Sequence, residues 1–202
     1  MNILWITNVL FPEAQFQLTG SCMNSFGGWM IGAAEELIKE NEVNLFVATV
    51  SPLVDSLVRI HGNQIQYYII PYGKGNVKYN LDYKKYWRRI HSDINPDVVH
   101  IHGTEFSHGL AYMKECGTQN VVVSIQGLLS VISKYYCSGL TFNDVFSSLT
   151  FRDLIRGTIW HDKTTFLKRS KYEIEMIKMS KHIIGRTSWD KAHVSTINPN
   201  AY

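Results

Sequence analysis

The sequence predicts a doubly wound α/β fold, a mostly parallel sheet with helices on both faces. Two observations predict it. Ile3 to Thr7, Val98 to Ile101 and Val121 to Ile125 are short apolar, β-prone runs suited to strands buried on both faces. Segments with helical periodicity separate the runs, as right-handed crossovers between parallel strands require.

The elements follow in order. Ile3 to Thr7 is the first strand, and a long loop from Asn8 to Gly28 follows, with Gly27-Gly28 at its end. Met30, Ala33, Ala34, Leu37 and Ile38 recur at helical spacing. Glu42 to Thr49 is a second strand, alternating Val43, Leu45 and Val47, and Gln64 to Ile70 is a third, ending at Pro71. Tyr83, Tyr86, Trp87 and Ile90 fall at i, i+3, i+4 and i+7, with Lys84, Lys85, Arg88 and Arg89 on the other side. That stripe packs on the sheet in the simpler reading; lying on an anionic membrane is the other.

Asn95-Pro96-Asp97 is turn chemistry, because Pro fixes φ and Asp bonds its own backbone. The fourth strand, Val98 to Ile101, leads into His102-Gly103-Thr104, and a helix runs from Glu105 to about Cys116. Val121 to Ile125 is the fifth strand, ended by Gln126-Gly127. Leu128 to Thr150 reads as short helices and loop, and Thr164 to Lys181 as a helix with Phe166, Ile174 and Ile177 on one face. His182 to Gly185 is a sixth strand. Ser188 is placed as the N-cap of a helix ending near Ser195 and closed by Pro199. The 202 residues read as a single Rossmann-like domain with no internal repeat.

Composition narrows the function. A hydrophobic fraction of 45% is that of a folded globular protein. A net charge of +3 suits a phosphorylated ligand or an anionic membrane surface and is too weak to argue for nucleic acid. Cys22, Cys116 and Cys137 are odd in number and lack ligand spacing, which argues against a disulfide framework and a structural zinc site. No apolar stretch approaches the ~18 residues that span a bilayer. The expected location is cytoplasmic, with membrane contact at the surface only, at the inner face.

Several signatures are missing: a phosphate loop, a Gly-x-Gly-x-x-Gly after the first strand and a Gly-x-Ser-x-Gly elbow. Gly73-Lys74-Gly75 has only two glycines and follows the third strand. A nicotinamide or flavin cofactor is therefore disfavoured. What remains is a set of strand-end residues, where an open parallel sheet binds its ligands. Gly27 and Gly28 let a backbone approach phosphate at a helix N-terminus. His102, with Gly103, can donate to a sugar hydroxyl or phosphate, while His100 is placed on the opposite strand face as a satisfied core residue. His108, further on, is the weaker candidate. Gln126, with Gly127, offers two donors and an acceptor suited to sugar hydroxyls, and lines one crevice with His102 if their strands are neighbours. Arg186 can grip a phosphate or carboxylate. Each of these also has a plain structural role open to it. A second basic stretch, Arg152, Arg156, Lys163, Lys168, Arg169 and Lys171, is interleaved with Leu154, Ile155, Ile159 and Trp160; it is either a solvated face or a membrane or acceptor surface.

Taken together, Pro96-Asp97-Val98-Val99-His100-Ile101-His102-Gly103 resembles a strand of the group 1 (family 4) glycosyltransferases. Val121 to Gly127 resembles that family's next strand, and Lys181 to Asp190 the segment that closes its acceptor domain. Gly27-Gly28 matches the family's glycine loop. The resemblance implies the N-terminal, acceptor-side half of a GT-B enzyme with two Rossmann-like domains. The implied activity is transfer of a sugar from a nucleotide-sugar donor to a polysaccharide or lipid-linked acceptor, usually with retention and without a metal or other cofactor. The family's strand-end histidine is Gln126 here, which cannot become cationic or shuttle a proton, so no catalytic residue is assigned. The paired glutamates of the family's C-terminal domain have no counterpart before Tyr202. The expectation is thus a domain that needs its nucleotide-sugar half and is inactive alone. The rival readings are a non-catalytic module binding a sugar phosphate or a protein, and part of a sugar-nucleotide epimerase.

Overall fold

The computed structural model describes residues 1–21, 27–72 and 82–201, except for the side chains of Leu154 and Arg156. Cys22 and Gly73-Lys74-Gly75 lie outside the described residues. Seven strands form one sheet: β1 (Asn2–Thr7), β2 (Asn44–Ser51), β3 (Val58–His61), β4 (Ile65–Pro71), β5 (Val98–His102), β6 (Val121–Ser124) and β7 (His182–Ile184). Their order is β3-β4-β2-β1-β5-β6-β7, and every described pairing is parallel except β3 with β4. The fold is the expected Rossmann-like, doubly wound α/β sheet. Its direction of winding reverses between β1 and β5, which is where such sheets open a crevice.

β3 is an addition to the six expected strands. Val58, Arg59, Ile60 and His61 pair antiparallel with Ile69 to Gln66, and Ile60 alone of the four is buried. A four-residue edge strand with one buried side chain leaves little hydrophobic pattern to read. The long loop after β1 is likewise interrupted, by α1 (Pro12–Thr19). Pro12 opens this helix and Gly20, at φ +71°, closes it. The Glu13 carboxylate fixes it to the sheet, accepting from the Tyr67 hydroxyl and the Asn63 N–H at 2.8 Å each.

The other helices are α2 (Gly28–Leu37), α3 (Tyr83–Ile94), α4 (Ser107–Cys116), α5 (Leu129–Tyr135), α6 (Phe142–Ser147), α7 (Phe151–Arg156), α8 (Ile159–Met179) and α9 (Ser188–Ile197). α1 and α2 cover one sheet face, packing Ala14, Met30 and Ala34 against Ile3, Trp5 and Val47. α3, α4 and α8 cover the other, against Leu4, Ile6, Val99 and Ile101. The stripe of α3 packs inward as expected. Tyr83, Trp87 and Ile90 are buried, and Trp87 meets Tyr112 of α4 edge-on at 5.5 Å. Each such side chain stabilises the fold by about 1.5–3 kcal/mol, so this face of α3 is core rather than a membrane face.

Three local expectations need correction. Asn95 does end α3, in the left-handed region at φ +46°, but Asp97 does not bond its own backbone. Its carboxylate accepts from the Asn2 N–H at 2.7 Å and ties the start of β1 to the start of β5. The N-cap of α9 is Thr187 rather than Ser188: Thr187 and Asp190 form a capping box, each side chain meeting the other's backbone N–H. The buried positions of α8 are Ser170, Glu173, Met176 and Ile177, which shifts the inward stripe off Phe166 and Ile174. Among the described residues, no helix is long and apolar enough to cross a membrane.

Candidate functional site

β5 and β6 are neighbours, as the crevice reading required, and His102 stands in register with Ser124. His102 is 2% exposed. Its ring lies 4.4 Å from the Trp5 ring, 5.6 Å from Trp29 and 3.9 Å from His100, centroid to centroid. The expectation that His100 occupies the opposite face is wrong. Residues i and i+2 of a strand share a face, and both histidines stack there. His100 is satisfied, as expected, with Nε2 2.6 Å from the Ser124 hydroxyl.

Neither ring nitrogen of His102 has a hydrogen-bond partner among the described residues. Burial lowers its pKa to about 3, and the neighbouring His100 adds to the shift; burial holds His100 at about 4. Both imidazoles are therefore neutral at physiological pH. A neutral His102 presents one donor and one acceptor, neither spent on a described residue. An unmade buried hydrogen bond costs about 1–3 kcal/mol.

Gln126 lies two residues beyond Ser124, and its amide Nε2 is also buried without a partner among the described residues. Its main-chain carbonyl accepts from the guanidinium of Arg186, at the end of β7. Arg186 is thereby brought to the Gln126 strand end, and its own N–H donates to Asp190 at 2.9 Å. Gly127 would accept a Cβ without strain: it would meet Ile132 Cδ1 at 3.5 Å and Glu105 Oε1 at 3.9 Å, both ordinary contacts.

Gly27 is the N-cap of α2 with φ +92°, a conformation that favours glycine, and a Cβ would meet Met30 Cε at 2.9 Å. Gly28 has nothing within 4 Å of a Cβ, so packing does not require it to be glycine. Trp29 follows, and its contact with His102 sets the first turn of α2 beside the β5 end. The helix N-terminus, His102, Gln126 and Arg186 thus occupy the carboxyl ends of the sheet on the side where ligands bind.

Sequence reasoning missed two acids. Glu105 was assigned to a helix start, but α4 begins at Ser107. Its carboxylate accepts from Asn8 Nδ2 at 3.1 Å, bridging the loops after β1 and β5 across the point where the winding reverses. Burial raises its pKa, and the nearby Glu173 carboxylate adds to the rise against opposing hydrogen bonds and Arg169. Gly103, at φ +95°, makes room for it: a Cβ there would fall 2.2 Å from Glu105 Oε2 and 2.8 Å from Asn8 Nδ2. Arg169 stacks on Phe106 at 4.1 Å and donates to the Glu105 carbonyl at 2.7 Å.

The second acid, Glu173, is fully buried. It accepts from the N–H groups of Leu129 and Ser130 at 2.8 Å each and from the Thr104 hydroxyl at 3.1 Å. The N-terminus of α5 is thereby satisfied by a carboxylate from α8, and its donors are not free for a ligand. His108 is also structural: its buried ring pairs with the Thr7 carbonyl at 3.1 Å, and burial lowers its pKa to about 4. Among the described residues, no three His, Cys, Asp or Glu side chains converge as metal ligands would.

The sheet and the helices on its two faces define a Rossmann-like α/β domain. No protein-family model matches the chain, and no curated protein matches it by sequence. Among solved structures the chain is similar to sucrose-phosphate synthase from Thermosynechococcus elongatus, with a TM-score of 0.58 at 10% identity. The likeness extends over 100% of this chain and 46% of the synthase, so the chain spans less than half of that enzyme's length. At this identity the likeness shows a shared, glycosyltransferase-like fold.

Proposed function

We propose that the chain is the acceptor-side half of a glycosyltransferase. It would act with a nucleotide-sugar domain in moving a sugar from a nucleotide-sugar donor to a polysaccharide or lipid-linked acceptor. The observation that carries this reading is the set of buried polar atoms without a partner among the described residues, both ring nitrogens of His102 and Nε2 of the half-buried Gln126, at adjacent strand ends. They offer neutral donors and acceptors in a desolvated place, which suits sugar hydroxyls. The ordered set of family-like motifs and the fold likeness to a sucrose-phosphate synthase support the same reading.

The roles follow from chemistry. His102 and Gln126 hydrogen-bond the sugar or acceptor, while Gly27 and Gly28 let phosphate approach the first turn of α2. Gly103 and Gly127 present bare backbone beside His102 and Gln126, and Arg186 offers positive charge to the diphosphate. A neutral imidazole and an amide position groups and move no proton by themselves. The reading therefore leaves proton transfer to the departing phosphate, as a retaining enzyme would use it. The nucleotide-binding half supplies most of the donor contacts, and the domain alone is inactive. The expected location is the cytoplasm, where nucleotide sugars are made.

Gln126→Ala in the complete enzyme tests this. Its Nε2 donates to no group among the described residues, so the fold should survive. Transfer should fall about tenfold or more, as when a buried polar contact to substrate is lost. Unchanged kcat/KM would remove Gln126 from the site.

A further inference from the structure

α6, α7 and the start of α8 carry exposed apolar side chains. Phe142, Phe146, Phe151 and Ile155 are 67%, 64%, 77% and 71% exposed. The Phe142 ring lies nearly parallel to Phe146, at 6.1 Å and 13°, and to Trp160, at 5.2 Å and 19°. The three rings form an ordered shelf. Single exposed apolar residues are normal, but a contiguous group marks an interaction surface.

Charge identifies the partner. Residues 140–171 contain six basic and three acidic residues, and of the six Arg169 is turned onto Phe106 and the Glu105 carbonyl, which leaves five against three for the surface. Two of the acids are committed to capping boxes. Asp144 accepts from the N–H and hydroxyl of Thr141, and Asp153 from those of Thr150. Arg152 and Lys168 are exposed and make no ion pair among the described residues. A purely apolar partner surface would leave this positive excess uncompensated. An anionic bilayer uses both halves of the pattern, because aromatic rings seat at headgroup depth while Lys and Arg meet lipid phosphates.

We propose that α6, α7 and the first turns of α8 form a surface that docks reversibly on an anionic membrane. The inference stands independently of the transferase reading. It turns the sequence ambiguity about the second basic stretch into a defined patch, and it excludes α3, whose aromatic stripe is core.

Flotation of the full-length protein with vesicles tests it, using phosphatidylcholine alone and phosphatidylcholine doped with phosphatidylglycerol. The expected result is at least about tenfold tighter binding to the anionic vesicles, weakening as salt is raised. Replacing Phe142, Phe146 and Phe151 with Ser should abolish binding while leaving the melting curve unchanged. The double variant Arg152→Glu/Lys168→Glu should remove the preference for anionic lipid, and it decides the matter by itself if the triple variant does not fold. Equal binding to both vesicle types, no binding to either, or retention of binding by both variants overturns the proposal. So does a concentration-dependent dimer that the Ser variant dissolves in the absence of vesicle binding.

Discussion

The imidazoles of His100 and His102 stack 3.9 Å apart, yet among the described residues only His100 has a hydrogen-bond partner, Ser124. Two neutral rings on one face thus do different work. The first is held by β6, and the second is positioned by the first and by Trp5 and Trp29 with its polar atoms unspent. An unpartnered group persists where stability is traded for binding.

His102→Leu tests that trade. It replaces an unsatisfied buried polar ring with an apolar side chain of similar size, so stability should stay within about 1 kcal/mol of the parent or rise. Affinity of the complete enzyme for its sugar ligand should fall about tenfold, near 1.4 kcal/mol. Thermal melts and ligand titration on the same preparation check both halves, and a destabilised variant with unaltered affinity would make His102 a core residue.

The buried histidines also predict a pH dependence. His102, His100 and His108 have folded pKa values lowered to about 3, 4 and 4. The unfolded chain, with ordinary values near 6.5, therefore binds more protons than the folded one below that pH. Their neutral burial is compatible with full stability above about pH 6.5, and stability is lost as pH falls towards 4. The slope reaches at most about 4 kcal/mol per pH unit if all three act together. Urea melts at pH 7, 6 and 5 measure it, and His102→Leu should make it shallower.

Gly103→Ala should destabilise the fold by about 2–4 kcal/mol, through its positive φ and the clash with Glu105 and Asn8. Gly28→Ala should leave stability within about 0.5 kcal/mol, because its Cβ meets open space. If phosphate approaches the first turn of α2, the same change weakens nucleotide-sugar binding. Denaturant melts and binding isotherms on the two variants separate the structural glycine from the ligand-facing one.

Glu173→Ala strips the N–H groups of Leu129 and Ser130 of their acceptor in a dry interior. A loss of about 3 kcal/mol is expected, a drop in Tm of roughly 6–12 °C for a domain of this size. Hydrogen exchange at Leu129 and Ser130 should accelerate first. Protection equal to the parent's would show that another group caps α5.

Much of this was legible in the sequence wherever the signal is local. The strands at 3–7, 98–102 and 121–124 announce themselves by apolar runs, and α3 by its periodicity. The placement of His102 and Gln126 at the ends of adjacent strands follows from the same runs. α1 had signals too, Pro12 and Gly20 at its two ends, but with Ala14 its only fully buried side chain it shows no stripe.

What the sequence by itself determined is the alternation of strands and helices, and with it the sheet edge where polar residues gather. Only the tertiary structure decided which of those residues are free to meet a ligand. Glu173 is 44 residues from Leu129, Asn8 is 97 from Glu105, and Arg186 is 60 from Gln126. No spacing rule joins groups so far apart. A hydrogen bond is satisfied or left open by the partner that the fold carries to it, and that partner comes from elsewhere in the chain.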